Sequence, residues 1–167
     1  MTRYEELMPE LLRPWMARVD APQAFVALNL LGEISRRVTA AYGQFLRPHG
    51  IDFSEYVLLW ALRLHHPQPP AMSELRRRVV MSSGGIALAA NRLERKGLAR
   101  RRAAERDRRT VLLALTPKGQ HLIDTLMADD LERHEQLLAP LAPSRRTEVL
   151  DGLAEILHRI IETPAPS

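Results

Sequence analysis

The order of predicted elements in the middle of the chain constrains its fold most. The pattern of apolar residues predicts a short helix over residues 72–79 and, after a turn, a second helix over 82–96. Two short strands are predicted at 98–102 and 109–115, on either side of the charged loop 103–108. Two helices joined by a tight turn and followed by a two-stranded hairpin are typical of a winged helix-turn-helix.

Start and stop signals support this order. Asp52 and Glu55 have the spacing of a capping box at the start of a helix. Ser82 and Ser83 offer hydroxyl caps for the second helix of the turn, and Gly97 is a typical residue for its end. The winged core is therefore predicted to run from about Asp52 to Leu115, the end of the second strand.

Helices flank the winged core on both sides. Apolar residues recur at helical spacing in Ala24–Leu46, and Thr116-Pro117 begins a helix that runs to about residue 138. The last helix covers Ser144–Ile161, and a shorter amphipathic helix is predicted at Tyr4–Val19. The fold expected from this pattern is mainly α.

An apolar stripe on the last helix predicts a partner for it. Leu150, Leu153, Leu157 and Ile160 are spaced 3-4-3, which suits packing between helices. The partner is either another helix of the same chain or a second copy, and the small size of the winged core favours a homodimer. The predicted organisation is N-terminal dimerisation helices at 1–50, the winged helix-turn-helix at 51–116, and C-terminal dimerisation helices with a tail at 117–167.

Positive charge is concentrated in the middle of the chain. Residues 76–109 contain twelve Arg or Lys and three acids, a net charge of +9, whereas the whole chain is +4 and the remainder therefore −5. With the helix-turn-helix pattern, this favours double-stranded DNA as the partner over the alternative of a solvated arginine face. Aromatic residues make up only 5%, which disfavours a single-strand binder that stacks bases.

The sequence gives little support to an enzyme or a membrane protein. It has no cysteine, which excludes thiolate nucleophiles and cysteine metal sites. The segment 82–85 lacks the flanking glycines of a nucleophile elbow, and the histidines show no metal-ligand spacing. No apolar run reaches the ~20 residues of a membrane span, and the N-terminus does not resemble a signal peptide. We expect a cytoplasmic non-enzyme without cofactor or metal.

A set of motifs resembles the MarR family of bacterial transcription regulators. The most specific are Asp107-Arg108-Arg109 and the following Leu115-Thr116-Pro117-Lys118-Gly119. The others are Glu74-Leu75, Ser82-Ser83-Gly84-Gly85, the run 91–98 and Arg101. The resemblance covers residues 24–162, so that helix-turn-helix, wing and flanking helices occur together in the family's order.

This resemblance implies a function. It implies a ligand-responsive homodimer, usually a repressor, that binds a pseudo-palindromic operator and is released by a small ligand. The helix 82–96 would enter the major groove, and the wing around 103–108 would reach a minor groove. The residues predicted to contact DNA are Arg76, Arg77, Ser82, Ser83, Gly84, Gly85, Leu88, Asn91, Arg92, Arg106, Arg108 and Arg109.

Two parts of this pattern, the middle of the second helix and the acid of the wing, leave alternatives open. Ala87 and Leu88 stand where many members carry Thr and a basic or amide residue, so base contacts fall to Leu88 on thymine methyls, to other residues of that helix, or to the wing. Asp107 either anchors an arginine such as Arg109 across the wing or is a solvated turn acid. The family pattern favours the anchor.

A finer resemblance concerns the ligand. The N-terminal helix with Trp15, together with the segment 138–141, is similar to the urate-responsive branch of the family. This implies Trp15 and Arg101 as ligand-binding residues. Val57 and Ala89 replace that branch's acid and second arginine, so the implied ligand is a different small anionic aromatic compound. Alternatively, Trp15 packs on the core and Arg101 contacts a phosphate or an acid.

A different function also fits the long helices. A helical protein-interaction module, such as an anti-activator, would use the same apolar stripe without binding DNA. Such a module would not need the basic segment 76–109. Binding to duplex DNA, with its dependence on salt, discriminates between the two functions.

Overall fold

The computed structural model describes residues 23–105 and 107–163, together with 10, 12 and 14. Trp15, most of the predicted helix Tyr4–Val19, and Arg106 in the wing lie outside the described residues. The two described ranges form six α-helices and two strands: α1 (Gln23–Leu46), α2 (Phe53–His65), α3 (Met72–Arg78), α4 (Ser83–Arg95), β1 (Ala99–Ala103), β2 (Val111–Leu115), α5 (Pro117–Leu138) and α6 (Pro143–Glu162). The predicted mainly helical fold is confirmed, and so is the predicted order of the elements from the long first helix onward.

The connection between α1 and α2 is fixed by local signals. A turn of 3-10 helix, Arg47–His49, ends α1, and Gly50 follows with a left-handed φ of 67°. The Asp52 carboxylate then accepts a hydrogen bond from the Glu55 N–H at 2.9 Å, and the Glu55 carboxylate accepts one from the Asp52 N–H at 2.8 Å. The predicted capping box is therefore confirmed, and it satisfies two N–H groups at the start of α2.

The end of α4 explains why β1 is shifted from its predicted position. Gly97 has a φ of 68°, and its N–H donates to the Glu94 carbonyl at 2.9 Å. The Leu98 N–H donates to the Leu93 carbonyl, also at 2.9 Å, which completes a Schellman motif. Because Leu98 belongs to this helix cap, β1 begins at Ala99, one residue later than predicted.

The second strand begins at Val111, two residues later than predicted. The preceding residues form the turn of the wing instead. The Thr110 N–H donates to the Asp107 carbonyl, and the Ala104 N–H donates to the Thr110 carbonyl, both at 2.9 Å. These bonds use the main chain that a longer strand would need for pairing.

The hairpin forms one wall of the winged core. Its strands are antiparallel, with Arg101 opposite Leu113, and the segment before α3 extends the sheet through the Leu113 N–H, which donates to the Pro70 carbonyl at 3.1 Å. Fully buried apolar side chains from α2, α3, α4 and β2 fill this core: Leu58, Leu59, Leu62, Leu75, Ile86, Leu93 and Leu113. Their burial removes the apolar faces of these elements from water, which is the main stabilising contribution.

Thr116 attaches the start of α5 to the turn after α4. Its hydroxyl donates to the Gly97 carbonyl at 2.7 Å, its N–H donates to the Leu98 carbonyl at 3.1 Å, and its side-chain oxygen accepts from the Gly119 N–H at 3.0 Å. Gly119 passes so close to Leu98 that a Cβ atom there would lie 1.9 Å from the Leu98 carbonyl oxygen. A glycine is therefore required at this position by close approach of two backbone segments.

The chain divides into two compact units, one up to Gln120 and the other from His121 onward. In the second unit, α6 begins with Pro143 at its first position, which suits a residue without an N–H. No residue of α6 is buried. In the described ranges, no helix is long and apolar enough to cross a membrane.

Candidate nucleic-acid interface

The helix α4 has one buried and one exposed face. Ile86, Ala89, Ala90 and Leu93 are buried in the winged core. The exposed face carries four residues at helical spacing: Gly84, Leu88, Asn91 and Arg95. The first three are predicted DNA contacts. Leu88 is 52% exposed, an unusual exposure for leucine that suits contact with an apolar surface such as thymine methyls. Sequence reasoning did not select Arg95, although its position four residues after Asn91 could have indicated it.

The start of α4 is suited to bind an anion. The Ser82 hydroxyl oxygen accepts a hydrogen bond from the Gly85 N–H at 3.1 Å, which leaves the hydroxyl proton for an external acceptor. Ser83 and Gly84 are exposed, so that the first N–H groups of α4 face solvent with the positive end of the helix dipole. Phosphate binds well at such a helix start.

Basic side chains at the end of α3 lie in the same helix-turn-helix. Arg76, Arg77 and Arg78 are exposed in its last turn. Arg78 forms an ion pair with Glu74 at 3.2 Å, whereas Arg76 and Arg77 form none with any residue in the described ranges. The two unpaired guanidinium groups are therefore available to an external anion.

The wing carries two further exposed arginines, Arg108 and Arg109, which likewise form no ion pair with described residues. Asp107 holds their turn in place. Its carboxylate accepts from the Thr110 hydroxyl at 2.7 Å and from the Arg109 backbone N–H at 3.0 Å, and these two bonds hold the pKa of Asp107 below its ordinary value. Asp107 thus binds the main chain of Arg109, and no ion pair joins it to the Arg109 guanidinium group. Its role as the anchor of the wing stays a prediction.

Two residues predicted to bind anions are already paired with carboxylates. The Arg92 guanidinium donates to the Asp52 carboxylate at 2.6 Å, which joins α4 to the capping box of α2. The Arg101 guanidinium forms an ion pair with Glu94, whose carboxylate also accepts from the Arg101 N–H at 2.8 Å. These pairs favour the alternative in which Arg101 contacts an acid. The roles of Arg92 in DNA binding and of Arg101 in ligand binding stay predictions.

A third ion pair holds the last turn of α4, and sequence reasoning missed its partner residues. The Lys96 ammonium group donates to both oxygens of Glu55, at 2.5 and 2.7 Å, and Glu55 is only 1% exposed. Partial burial raises the pKa of the neighbouring Asp52, but the Ser54 hydroxyl, the Glu55 N–H and the two cations lower it more, so that it stays below its ordinary value. These carboxylates position α4 in addition to capping α2.

Known proteins share this fold. A crystal structure of S. aureus MepR with DNA superimposes with a TM-score of 0.72 at 20% identity, over 78% of this chain and 95% of that one. Bordetella bronchiseptica BpsR, whose structure addresses regulation of DNA binding by 6-hydroxynicotinic acid, gives 0.66 at 20% identity, over 81% and 92%. These likenesses show that the chain has a winged-helix fold, as its sequence predicted.

The sequence comparisons match this chain to known regulators. Residues 49–110 match the model of the MarR family. The transcriptional regulator PecS of Dickeya dadantii is 23% identical over 166 residues, which cover 96% of this chain and 98% of that protein. These matches support the predicted resemblance to the MarR family of transcriptional regulators, and the proteins matched are regulators of transcription. The finer resemblance to the urate-responsive branch stays a prediction.

Proposed function

We propose that this regulator is a homodimeric repressor that binds a pseudo-palindromic operator and is released by a small anionic aromatic ligand. The observation that supports operator binding most is the exposed face of α4. Its capped N-terminus lies in the same winged domain as the unpaired Arg76 and Arg77 and the wing residues Arg108 and Arg109. In this arrangement α4 enters the major groove, while the basic side chains neutralise phosphates and reach the minor groove.

The proposal of a homodimer is supported by α6. Its large apolar residues are 41–73% exposed in the single chain: Leu150, Leu153, Leu157, Ile160 and Ile161. The first four follow the predicted 3-4-3 spacing, and a second copy of the same helix offers a matching surface. A two-fold dimer would place two copies of α4 on successive half-sites, which explains a pseudo-palindromic operator.

The ligand is the third part of the proposal. The structure of BpsR concerns the regulation of its DNA binding by 6-hydroxynicotinic acid, which is a small anionic ring compound. By likeness of fold, we infer that a ligand of this kind releases the present chain from DNA. The linkage requires only that the ligand bind the DNA-free conformation more tightly than the DNA-bound one.

We expect the wing and α4 to contribute differently to operator binding. Arg108→Ala removes a phosphate contact, so that affinity falls for all sequences and the salt slope decreases by about one unit. Leu88→Ala leaves the charge unchanged and instead reduces discrimination between bases that carry or lack a methyl group. Fluorescence anisotropy of labelled operator and scrambled duplexes at several salt concentrations measures both effects, and Arg145→Ala, in α6, is the control.

An unchanged salt slope in Arg108→Ala would remove the wing from the interface. Failure of the full-length protein to bind any duplex at low salt would contradict the whole proposal. That result would favour the protein-interaction module, which uses the exposed face of α6 alone.

The dimer is tested by a charge placed in the apolar stripe. Leu157→Asp puts a carboxylate into the interface from both copies, and we expect the dimer dissociation constant to rise at least about a hundredfold, because two unpaired charges lose water. Sedimentation velocity over a range of concentrations measures it. Arg145→Asp introduces the same residue near the start of α6, outside the stripe, and should leave the dimer intact. Dimers of equal strength in both variants would place the interface elsewhere.

A further inference from the structure

A cleft of about 380 Å³ lies where the end of α1, the start of α2 and the last turn of α4 meet. Such a volume suits a ligand of one or two rings. Its charged wall has two carboxylates and three cations: Asp52, Glu55, Arg47, Arg92 and Lys96. All of these groups belong to the first compact unit, and Arg101 does not line this cleft.

The charges in this wall do not balance. Asp52 is paired with Arg92 at 2.6 Å, and Glu55 is paired with Lys96 at 2.5 Å. Arg47 is exposed and forms no ion pair with any residue in the part of the chain that the structure describes. In addition, the Arg92 Nε atom is buried without a hydrogen-bond acceptor. The wall therefore has one cation in excess and one unsatisfied donor, and both lack an acceptor.

The rest of the cleft is apolar or small. Phe53 lines it and is 37% exposed. Its ring packs against Tyr42, with 4.9 Å between the centroids, and the exposed part of the ring offers apolar surface to a ligand. Gly43 and Gly50 also line it, and a Cβ atom at either position would meet nothing within 4 Å. The cleft thus offers an apolar face beside a single uncompensated positive charge.

We infer that this cleft binds a small organic monoanion with a flat apolar body. The Arg47 guanidinium binds the anionic group in a bidentate manner, and Phe53 contacts the ring. The inference deepens the proposed ligand response, on which its regulatory part rests, and gives it a site that does not include Arg101. Since Arg92 and Lys96 end α4, an anion beside Arg47 competes with Asp52 for Arg92 and changes how α4 is held.

The site is tested with the full-length protein and benzoate as the probe. We expect benzoate to shift the ¹H–¹⁵N signals of Gly43, Gly50 and Phe53, and benzamide, which has the same shape without charge, to shift them far less. Arg47→Gln should weaken benzoate binding about tenfold or more, because a charge-assisted hydrogen-bond pair is lost. Arg37→Gln, an exposed arginine of α1 that is paired with Glu33, is the matched control and should bind benzoate like the wild type.

Equal benzoate affinity in Arg47→Gln and in the wild type would overturn the site, as would shifts confined to residues outside the cleft. Operator binding without benzoate is measured separately. If Arg47→Gln binds the operator with wild-type affinity, Arg47 does not contact a DNA phosphate. A large loss of operator affinity in this variant would overturn the ligand role of Arg47. Release of the wild type from DNA by benzoate, abolished in Arg47→Gln, is the expected regulatory result. A protein that binds benzoate in the cleft but no DNA would contradict the proposed function alone.

Discussion

Replacement of Gly119 by alanine is expected to lower the free energy of unfolding by about 3 kcal/mol or more. The new Cβ atom would lie 1.9 Å from the Leu98 carbonyl oxygen and 2.8 Å from the carbonyl carbon. Both are backbone atoms, so that no side-chain rotation relieves the clash. The start of α5 must move away from the turn after α4, and the hydrogen bonds of Thr116 that join them are strained or lost.

Urea unfolding monitored by circular dichroism, at one fixed protein concentration, measures this loss. Gly32→Ala is the control, because Gly32 lies inside α1 and a Cβ atom there meets nothing within 4 Å. We expect this control to stabilise the protein by about 0.5–1 kcal/mol through higher helix propensity. A Gly119→Ala variant with a wild-type midpoint would show that the close approach is absent in solution.

Replacement of Lys96 by methionine is the second change with a large expected effect. Methionine keeps the length and apolar stem of lysine but leaves the buried Glu55 carboxylate without its cation. Removal of one partner from a buried pair is strongly destabilising, and since Lys96 is 36% exposed on its side chain, partial screening reduces the expected loss to about 2–3 kcal/mol.

A second substitution should restore most of this stability. Glu55→Gln in the Lys96→Met background removes the buried charge, while the glutamine oxygen still accepts from the Asp52 N–H and the backbone N–H of residue 55 still donates to Asp52, so that the capping box is preserved. The double variant is expected within about 1 kcal/mol of the wild type. Lys118→Met is the control: its ammonium group donates to the Lys96 carbonyl at 3.1 Å at an exposed site, so that little stability is lost. Additive losses in the double variant would mean that Lys96 and Glu55 are not coupled.

The same ion pairs bear on operator binding. Arg92, Glu94 and Lys96 occur within one turn at the end of α4, and each is paired with a residue of the capping box of α2 or of β1. Such pairs add little net stability to a protein, but they fix the direction of the elements they join. The position of α4 relative to α2 and the wing is therefore set at its C-terminal end, whereas its N-terminal half is left for the proposed contact with DNA.

Local signals in the sequence were sufficient for the elements and their order. The capping box Asp52–Glu55, the stop at Gly97 and the start at Thr116-Pro117 all act over a few residues, and the structure contains each of them. The strand bounds were less accurate, since Leu98 is used by the cap of α4 and residues 107–110 by the turn of the wing. Competition between neighbouring motifs for the same N–H groups is not visible in a pattern of residue types.

Periodicity, composition and short spacings in the chain were enough to predict the winged helix-turn-helix, the excess of basic residues in its middle and the motifs of the family. Which arginines are available depends instead on contacts that form when the elements pack together. Arg76, Arg77, Arg108 and Arg109 form no ion pair with described residues, while Arg92 and Arg101 are paired with Asp52 and Glu94. The Arg92 partner lies 40 positions away in the sequence, and an electrostatic contact depends on distance in space, which the chain acquires only when α2 and α4 pack together.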